Sequence, residues 1–311
     1  MDILVSEVGP RDGLQSIKRA MPTEAKHRWI RALAAAGLRE IEVGSFVPPK
    51  LLPQMADAGE VVRHAVRIEG LTVLALAPNL RGAKDAVAAG AHKVTLPVSA
   101  SHAHSLSNIR MTCEQALEQV AAICTWRDSL PGGERPLIEV GIATAFGCTQ
   151  QGAVDEDWAI GMAVRCARNG ADSVGLSDSV GYANPVQVKR MFKRLIAELG
   201  ERAGGAHLHN TRGQGLANVV AALDAGVTTF DASQGGIGGC PYAPGATGNI
   251  VTEDLVFLLE SMGLDTGIDM PKLLDARKFL AEGLPGEPVY GYVPDAGVPK
   301  NYRRAVEQVR A

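Results

Sequence analysis

Short apolar runs alternate along the chain with segments whose apolar positions recur every three to four residues. The two rhythms mark strands and amphipathic helices respectively. Strand-like runs occupy residues 3–8, 40–45, 72–77, 93–98, 137–143, 173–176, 206–209 and 229–232. Helical patterns occupy 23–36, 60–66, 81–89, 113–130, 154–169, 185–199, 216–225 and 253–262. The first helix opens on Pro22-Thr23 and stops at Gly37, and later helices run into Gly90, Gly170 and Gly226. Glycine at such ends accepts the left-handed conformation that closes a helix. Eight βα units in about 260 residues predict an α/β protein, a closed parallel (β/α)8 TIM barrel. No G-x-G-x-x-G follows the first strand, which weighs against an open dinucleotide-binding sheet.

The barrel is expected to span residues 1–270, with 271–311 as a C-terminal extension packed on it. That extension reads as one extra helix over 272–281 and then a Pro- and Gly-rich tail. Tyr290, Tyr292 and Tyr302 are its expected apolar anchors.

Composition narrows the partners. The 311 residues are 46% hydrophobic and 21% charged, with a formal net charge of −3; mean hydropathy is +0.04 and the pI about 6.2. A large core is within reach. No basic tract or aromatic-interleaved basic patch suggests nucleic acid. No apolar run approaches the roughly 20 residues of a membrane span. The chain opens directly into a strand-like segment with no leader pattern, so a cytoplasmic protein is expected. The five cysteines, Cys113, Cys124, Cys148, Cys166 and Cys240, form no C-x-x-C and predict no disulfide framework.

Chemistry in such a barrel belongs at the C-terminal ends of the strands. The seventh strand ends in His207-Leu208-His209. Alternation puts both imidazoles on one face, one pleat apart, where they can grip a cation. The first strand ends in Gly9-Pro10-Arg11-Asp12-Gly13; there Asp12 offers hard oxygen and Arg11 a fork of donors. Glu40 and Glu42 share a face of the second strand, and an inward carboxylate needs a partner. The sixth strand ends at Asp178. Beyond the eighth, residues 235–249 form a Gly-rich segment that reads as a flexible lid or a close-approach loop, where Cys240 would be a mobile acid–base group. A second H-x-H, His102 and His104, falls in a Ser-rich stretch expected to be a loop.

These residues also carry a family resemblance. Glu7-x-Gly9-Pro10-Arg11-Asp12-Gly13-Leu14-Gln15, Ile41-Glu42-x-Gly44-Ser45-Phe46-Val47-x-Pro49-Lys50, Pro53-Gln54-Met55-Ala56-Asp57, His207-x-His209 and Gly238-Gly239-Cys240-Pro241-Tyr242-Ala243-x-Gly245-Ala246-x-Gly248-Asn249 resemble the 3-hydroxy-3-methylglutaryl-CoA lyase family. The resemblance implies a (β/α)8 barrel that cleaves 3-hydroxy-3-methylglutaryl-CoA to acetyl-CoA and acetoacetate with Mg²⁺ or Mn²⁺. It implies Asp12, His207, His209 and Asn249 as metal ligands, Arg11 as catalytic cation and Cys240 as the loop acid–base group. Glu42 and Asp178 follow as supporting acids, and Glu7 and Glu253 match without a defined role. A citramalyl-CoA lyase yielding pyruvate is the nearest alternative, and an acetyl-CoA-dependent condensing transferase a more distant one. An acyl-CoA substrate and a homo-oligomer, a dimer, are the expected partners.

Overall fold

A computed structural model describes residues 1–239 and 248–308. Eight strands, β1 (Leu4–Glu7), β2 (Glu40–Ser45), β3 (Thr72–Leu76), β4 (Lys93–Ser99), β5 (Leu137–Ala143), β6 (Ser173–Asp178), β7 (Ala203–Leu208) and β8 (Thr229–Ala232), close in sequence order into one parallel barrel. Helices α1 (Thr23–Ala35), α2 (Ala58–Ala65), α3 (Leu80–Ala88), α4 (His102–Ile109), α5 (Cys113–Asp128), α6 (Glu156–Arg168), α7 (Pro185–Leu199), α8 (Gly215–Leu223) and α9 (Thr252–Ser261) lie between and after them. The predicted alternation is therefore the observed one.

The seventh strand starts three residues earlier than its apolar pattern suggests. Gly204 and Gly205 belong to it because a Cβ at Gly204 would sit 2.9 Å from the Val174 carbonyl carbon, and one at Gly205 2.8 Å from the Thr229 oxygen. Only glycine lets three strands approach that closely.

The apolar core lies between strands and helices, where Trp29, Ile30, Leu33, Phe192 and Phe230 are fully buried. The lumen is different. Barrel interiors are usually filled by branched aliphatic side chains, yet here Lys93 joins Glu40 and lies 3.7 Å from Glu139. Thr95 donates to Glu42, and His207 meets Asp231. Charge is admitted because each group finds a partner across the barrel.

Past α9, α10 (Met270–Gly283) packs on α1, followed by α11 (Tyr292–Ala296) and α12 (Ala305–Gln308). The tail is held chiefly by backbone groups. Tyr290 N–H reaches the Gly235 carbonyl at 2.7 Å, and Asp254 accepts from the N–H groups of Tyr292 and Val293 at 3.0 and 2.8 Å. Tyr302 does pack against Phe257, but Tyr290 and Tyr292 are exposed rather than anchoring. The expected loop at His102 is instead the first turn of α4, because the Ser101 hydroxyl caps it by accepting from His104 N–H at 3.2 Å. His102 is exposed against Trp158, and His104 is buried beside Ser99 Oγ at 2.6 Å. Cys113, Cys124, Cys148 and Cys166 are free and buried. No helix among the described residues is long and apolar enough to cross a membrane.

Candidate active site

The site is built where β1 ends. There Arg11, Asp12 and Gly13 all send their N–H groups back to the Val8 carbonyl, at 3.1, 2.7 and 3.3 Å. This wide helical turn over Gly9–Gly13 is the kind of irregular helix that recurs at functional sites. It turns the Arg11 and Asp12 side chains over the barrel mouth. Glu7 fastens the turn from below: it is fully buried and accepts from Gly9 N–H at 2.8 Å, Gln234 N–H at 2.9 Å and Thr252 Oγ1 at 2.7 Å. Burial pushes the Glu7 carboxyl up to about 8 against these bonds.

Arg11 lies between two carboxylates, donating from Nε to Glu42 and from Nη1 to Asp12 Oδ1 at 2.7 Å. Gln15 adds a bond to Asp12 Oδ1 at 2.9 Å. Burial works against the Asp12 charge, but Arg11, His207 and His209 outweigh it and hold the carboxyl below its usual range. Burial also acts on Glu42, and there it prevails: the carboxyl stays raised despite Arg11 and Thr95.

His207 and His209 converge with Asp12. One nitrogen or oxygen from each lies within 4.8 Å of the others, and the two Nε2 atoms stand 3.0 Å apart. Burial, reinforced by the neighbouring His207, pushes His209 down to about 3, so it is neutral and offers a lone pair at neutral pH. Burial lowers His207 too, but the Asp231 carboxylate at 3.0 Å from Nδ1 reverses this and raises it. Asp231 thereby orients the ring with Nε2 toward Asp12 and His209. Asn249 arrives through a bridge pairing with His209. Its Nδ2 donates to Asp12 Oδ2 at 2.7 Å and to the Ile237 carbonyl at 3.1 Å, while its buried Oδ1 has no partner. An orphaned buried carbonyl beside a carboxylate and a neutral imidazole fits a divalent cation.

These groups line one wall of a cavity of about 630 Å³, which also touches Ser6, Leu74, Thr95, Gly141, Ser177 and Gly238. This is the size of a small-molecule site. Asp178 stands apart: its oxygens accept from Tyr182 and Ala183 N–H at 2.8 and 3.1 Å, holding the loop after β6. Cys240 lies outside the described residues. Three groups were not singled out in the sequence: Asp231, Thr95 and Gln15. Asp231 and Thr95 were detectable, because each sits at an alternate position of a recognised strand, and Gln15 closes the first family motif.

The family profile described as HMGL-like matches residues 2–280. The chain belongs to the HMGL-like family. Among relatives of this HMGL-like chain, hydroxymethylglutaryl-CoA lyase YngG of Bacillus subtilis (strain 168) is 38% identical over 287 residues, 92% of this chain and 94% of that one. The mitochondrial hydroxymethylglutaryl-CoA lyase of Homo sapiens is 38% identical over 282 residues, 91% and 86% of the two chains. A solved HMG-CoA lyase from Acenitobacter baumannii, in complex with coenzyme A and 3-methylmalate, superposes with a TM-score of 0.90 at 38% identity. It covers 97% of each chain.

Proposed function

We propose that this chain cleaves 3-hydroxy-3-methylglutaryl-CoA to acetyl-CoA and acetoacetate with the help of a divalent cation, Mg²⁺ or Mn²⁺. The observation that carries the reading is the convergence of Asp12, His207 and His209 beside Arg11 at the mouth of a cavity able to hold an acyl-CoA head. The family membership and the 38% identity to named hydroxymethylglutaryl-CoA lyases support it.

Asp12, His207, His209 and the Asn249 carbonyl would hold the cation. When bound, it would lower the pKa of the substrate hydroxyl and fix its orientation. The reaction removes the proton of the C3 hydroxyl, breaks the C2–C3 bond and returns a proton to the C2 carbon of the released thioester. Asp12 and His207 are the two candidate bases, and His207 can take the proton only with its Nε2 off the cation, because Nδ1 is held by Asp231. Arg11, fixed between Glu42 and Asp12, presents its guanidinium to the developing enolate oxygen. Cys240 is assigned the return of the proton, as a thiol on the Gly-rich segment. Asp178 acts at one remove by holding the loop that follows β6. The cytoplasmic location and the dimer expected from the sequence complete this reading, and cell fractionation and sedimentation check them.

The decisive experiment supplies 3-hydroxy-3-methylglutaryl-CoA and Mg²⁺ and assays acetoacetate. Pyruvate from citramalyl-CoA with no acetoacetate from the first substrate would replace the reading by its nearest alternative. No product from either would remove it.

A further inference from the structure

The cavity is lopsided. Its charged wall comes from β7, β8, β1 and β2, where His207, His209, Asp231, Arg11, Asp12 and Glu42 crowd together. The opposite wall comes from β3 to β6, and above Thr95 and Glu139 it presents small or carbon-rich groups: Leu74, Leu76, Pro97, Gly141, Ala143 and Ser177. Gly141 is the smallest of these, and its glycine has no conformational or packing cause. Every other strand glycine is demanded by a close neighbour: a Cβ at Gly44 would meet Ala58 at 3.0 Å, at Gly175 the Gly205 oxygen at 2.4 Å, and Gly204 and Gly205 are equally crowded. A Cβ at Gly141 would meet only Ser177 Oγ, at 3.5 Å, an ordinary contact. Its φ is not in the left-handed region either. Glycine inside a strand costs stability relative to a side chain that packs. What it leaves here is open space toward the lumen.

That space sits close to the reacting atoms. Gly141 pairs in register with Pro97 and Gly175, and the neighbouring Ser177 pairs with His207. Arg110, exposed just past α4, lines the same cavity, whereas Lys93 and Arg11 are engaged. Lys93 below is held by Glu40 and Glu139, and Arg11 is engaged by Glu42 and Asp12. The Thr95 hydroxyl is occupied by Glu42. Glu139, on the floor of the notch, is itself engaged by Lys93 at 3.7 Å. An uncharged carbon branch entering here meets Leu74, Leu76, Pro97 and Ala143.

We propose that Gly141 sets the acyl specificity of this chain, and that its preferred substrate carries at C3 an alkyl branch longer than methyl. The inference rests on the lyase reading of the same site. With the C3 hydroxyl at Asp12, His207 and His209 and the thioester arm leading out to solvent, the branch points across the barrel into the notch at Gly141. A single methylene in such a pocket discriminates by roughly 10- to 200-fold.

The test compares 3-hydroxy-3-methylglutaryl-CoA with its 3-butyl homologue, on the wild type and on Gly141→Val, with thermal melting to verify folding. The wild type should show kcat/KM at least tenfold higher for the butyl compound. Gly141→Val should move the butyl-to-methyl ratio down by tenfold or more. If the valine variant does not fold, Gly141→Ala supplies the same ratio with one carbon, and a smaller drop in the same direction is expected. A wild type that prefers the methyl compound, or a ratio unmoved by filling the notch, overturns the inference and leaves the lyase reading intact. A wild type that cleaves neither compound overturns both.

Discussion

Replacing Arg11 by Met separates what this side chain does for the reaction from what it does for the fold. Glu42 is 1% exposed and is held by Arg11 and Thr95. Removing one member of a buried ion pair costs roughly 3–5 kcal/mol, because the other is left charged and unpaired. The cost has a ceiling, since Glu42 can bind a proton instead. For a carboxyl with an ordinary pKa of about 4.3, neutralisation at pH 7 costs about 4 kcal/mol, and at pH 5 about 1 kcal/mol. With an unfolding entropy of about 2.1 cal/mol/K per residue, the 311-residue chain should lose at most roughly 6 °C of Tm at pH 7 and at most 1–2 °C at pH 5, since burial already raises Glu42 in the wild type. The sign follows from linkage. Glu42 in the variant has a folded pKa raised above its unfolded value, so the penalty is absent below about pH 4.3 and grows as pH rises. Adding Glu42→Gln to Arg11→Met removes the stranded carboxylate and should restore most of the pH 7 loss. Turnover should stay down by about 10³ or more in both variants, the upper range for removal of one donor to a developing oxyanion. Scanning calorimetry in chelator at both pH values, with acetoacetate release as the activity readout, checks this. Equal Tm losses at pH 5 and pH 7, or no rescue in the double variant, would refute the reasoning.

Three further outcomes are expected. Chelation should abolish cleavage, with Mg²⁺ or Mn²⁺ restoring it, and His209→Ala should require at least 100-fold more cation; chelator-treated enzyme at full rate contradicts the assigned donor set. Asp231→Asn should weaken cation binding by about 10- to 100-fold, read by calorimetric titration, because His207 loses the carboxylate that orients it. Glu7, held near 8 in the fold, stabilises the protein below about pH 4.5 and loses that contribution as pH rises toward 8. Urea unfolding of wild type and Glu7→Gln at pH 6 and pH 8 should therefore show the wild type losing roughly 2 kcal/mol more than the variant across that interval.

Much of the architecture was legible because the strands are mostly short apolar runs and several of the helices before them run into glycine, at Gly37, Gly90, Gly170 and Gly226. The start of β7 was not, since Gly204 and Gly205 carry no hydrophobic signal and are explained only by the neighbouring strands that press on them. The first turn of α4 was missed for a related reason: a Ser-rich stretch reads as loop unless Ser101 is taken as a cap. At the site, Asp12, His207 and His209 were readable from strand parity and position, while Asn249 needed the family motif. The partner of the inward Glu40 was invisible, because Lys93 lies 53 residues away and meets it only through strand closure. Asp231 needed no distant information, only the alternation rule applied to its own strand.

The seam between β1 and β8 has a consequence for synthesis of the chain. Glu7 ties the opening turn to Gln234 and Thr252, and Asp231 and Asn249 both come from the last barrel segment. A nascent chain released only as far as residue 228 already carries Arg11, Asp12 and both imidazoles. It has nothing yet to steer the His207 ring or to close the ring of staves. Tight capture of an ion would thus wait until β8 and Asn249 have joined the first strand.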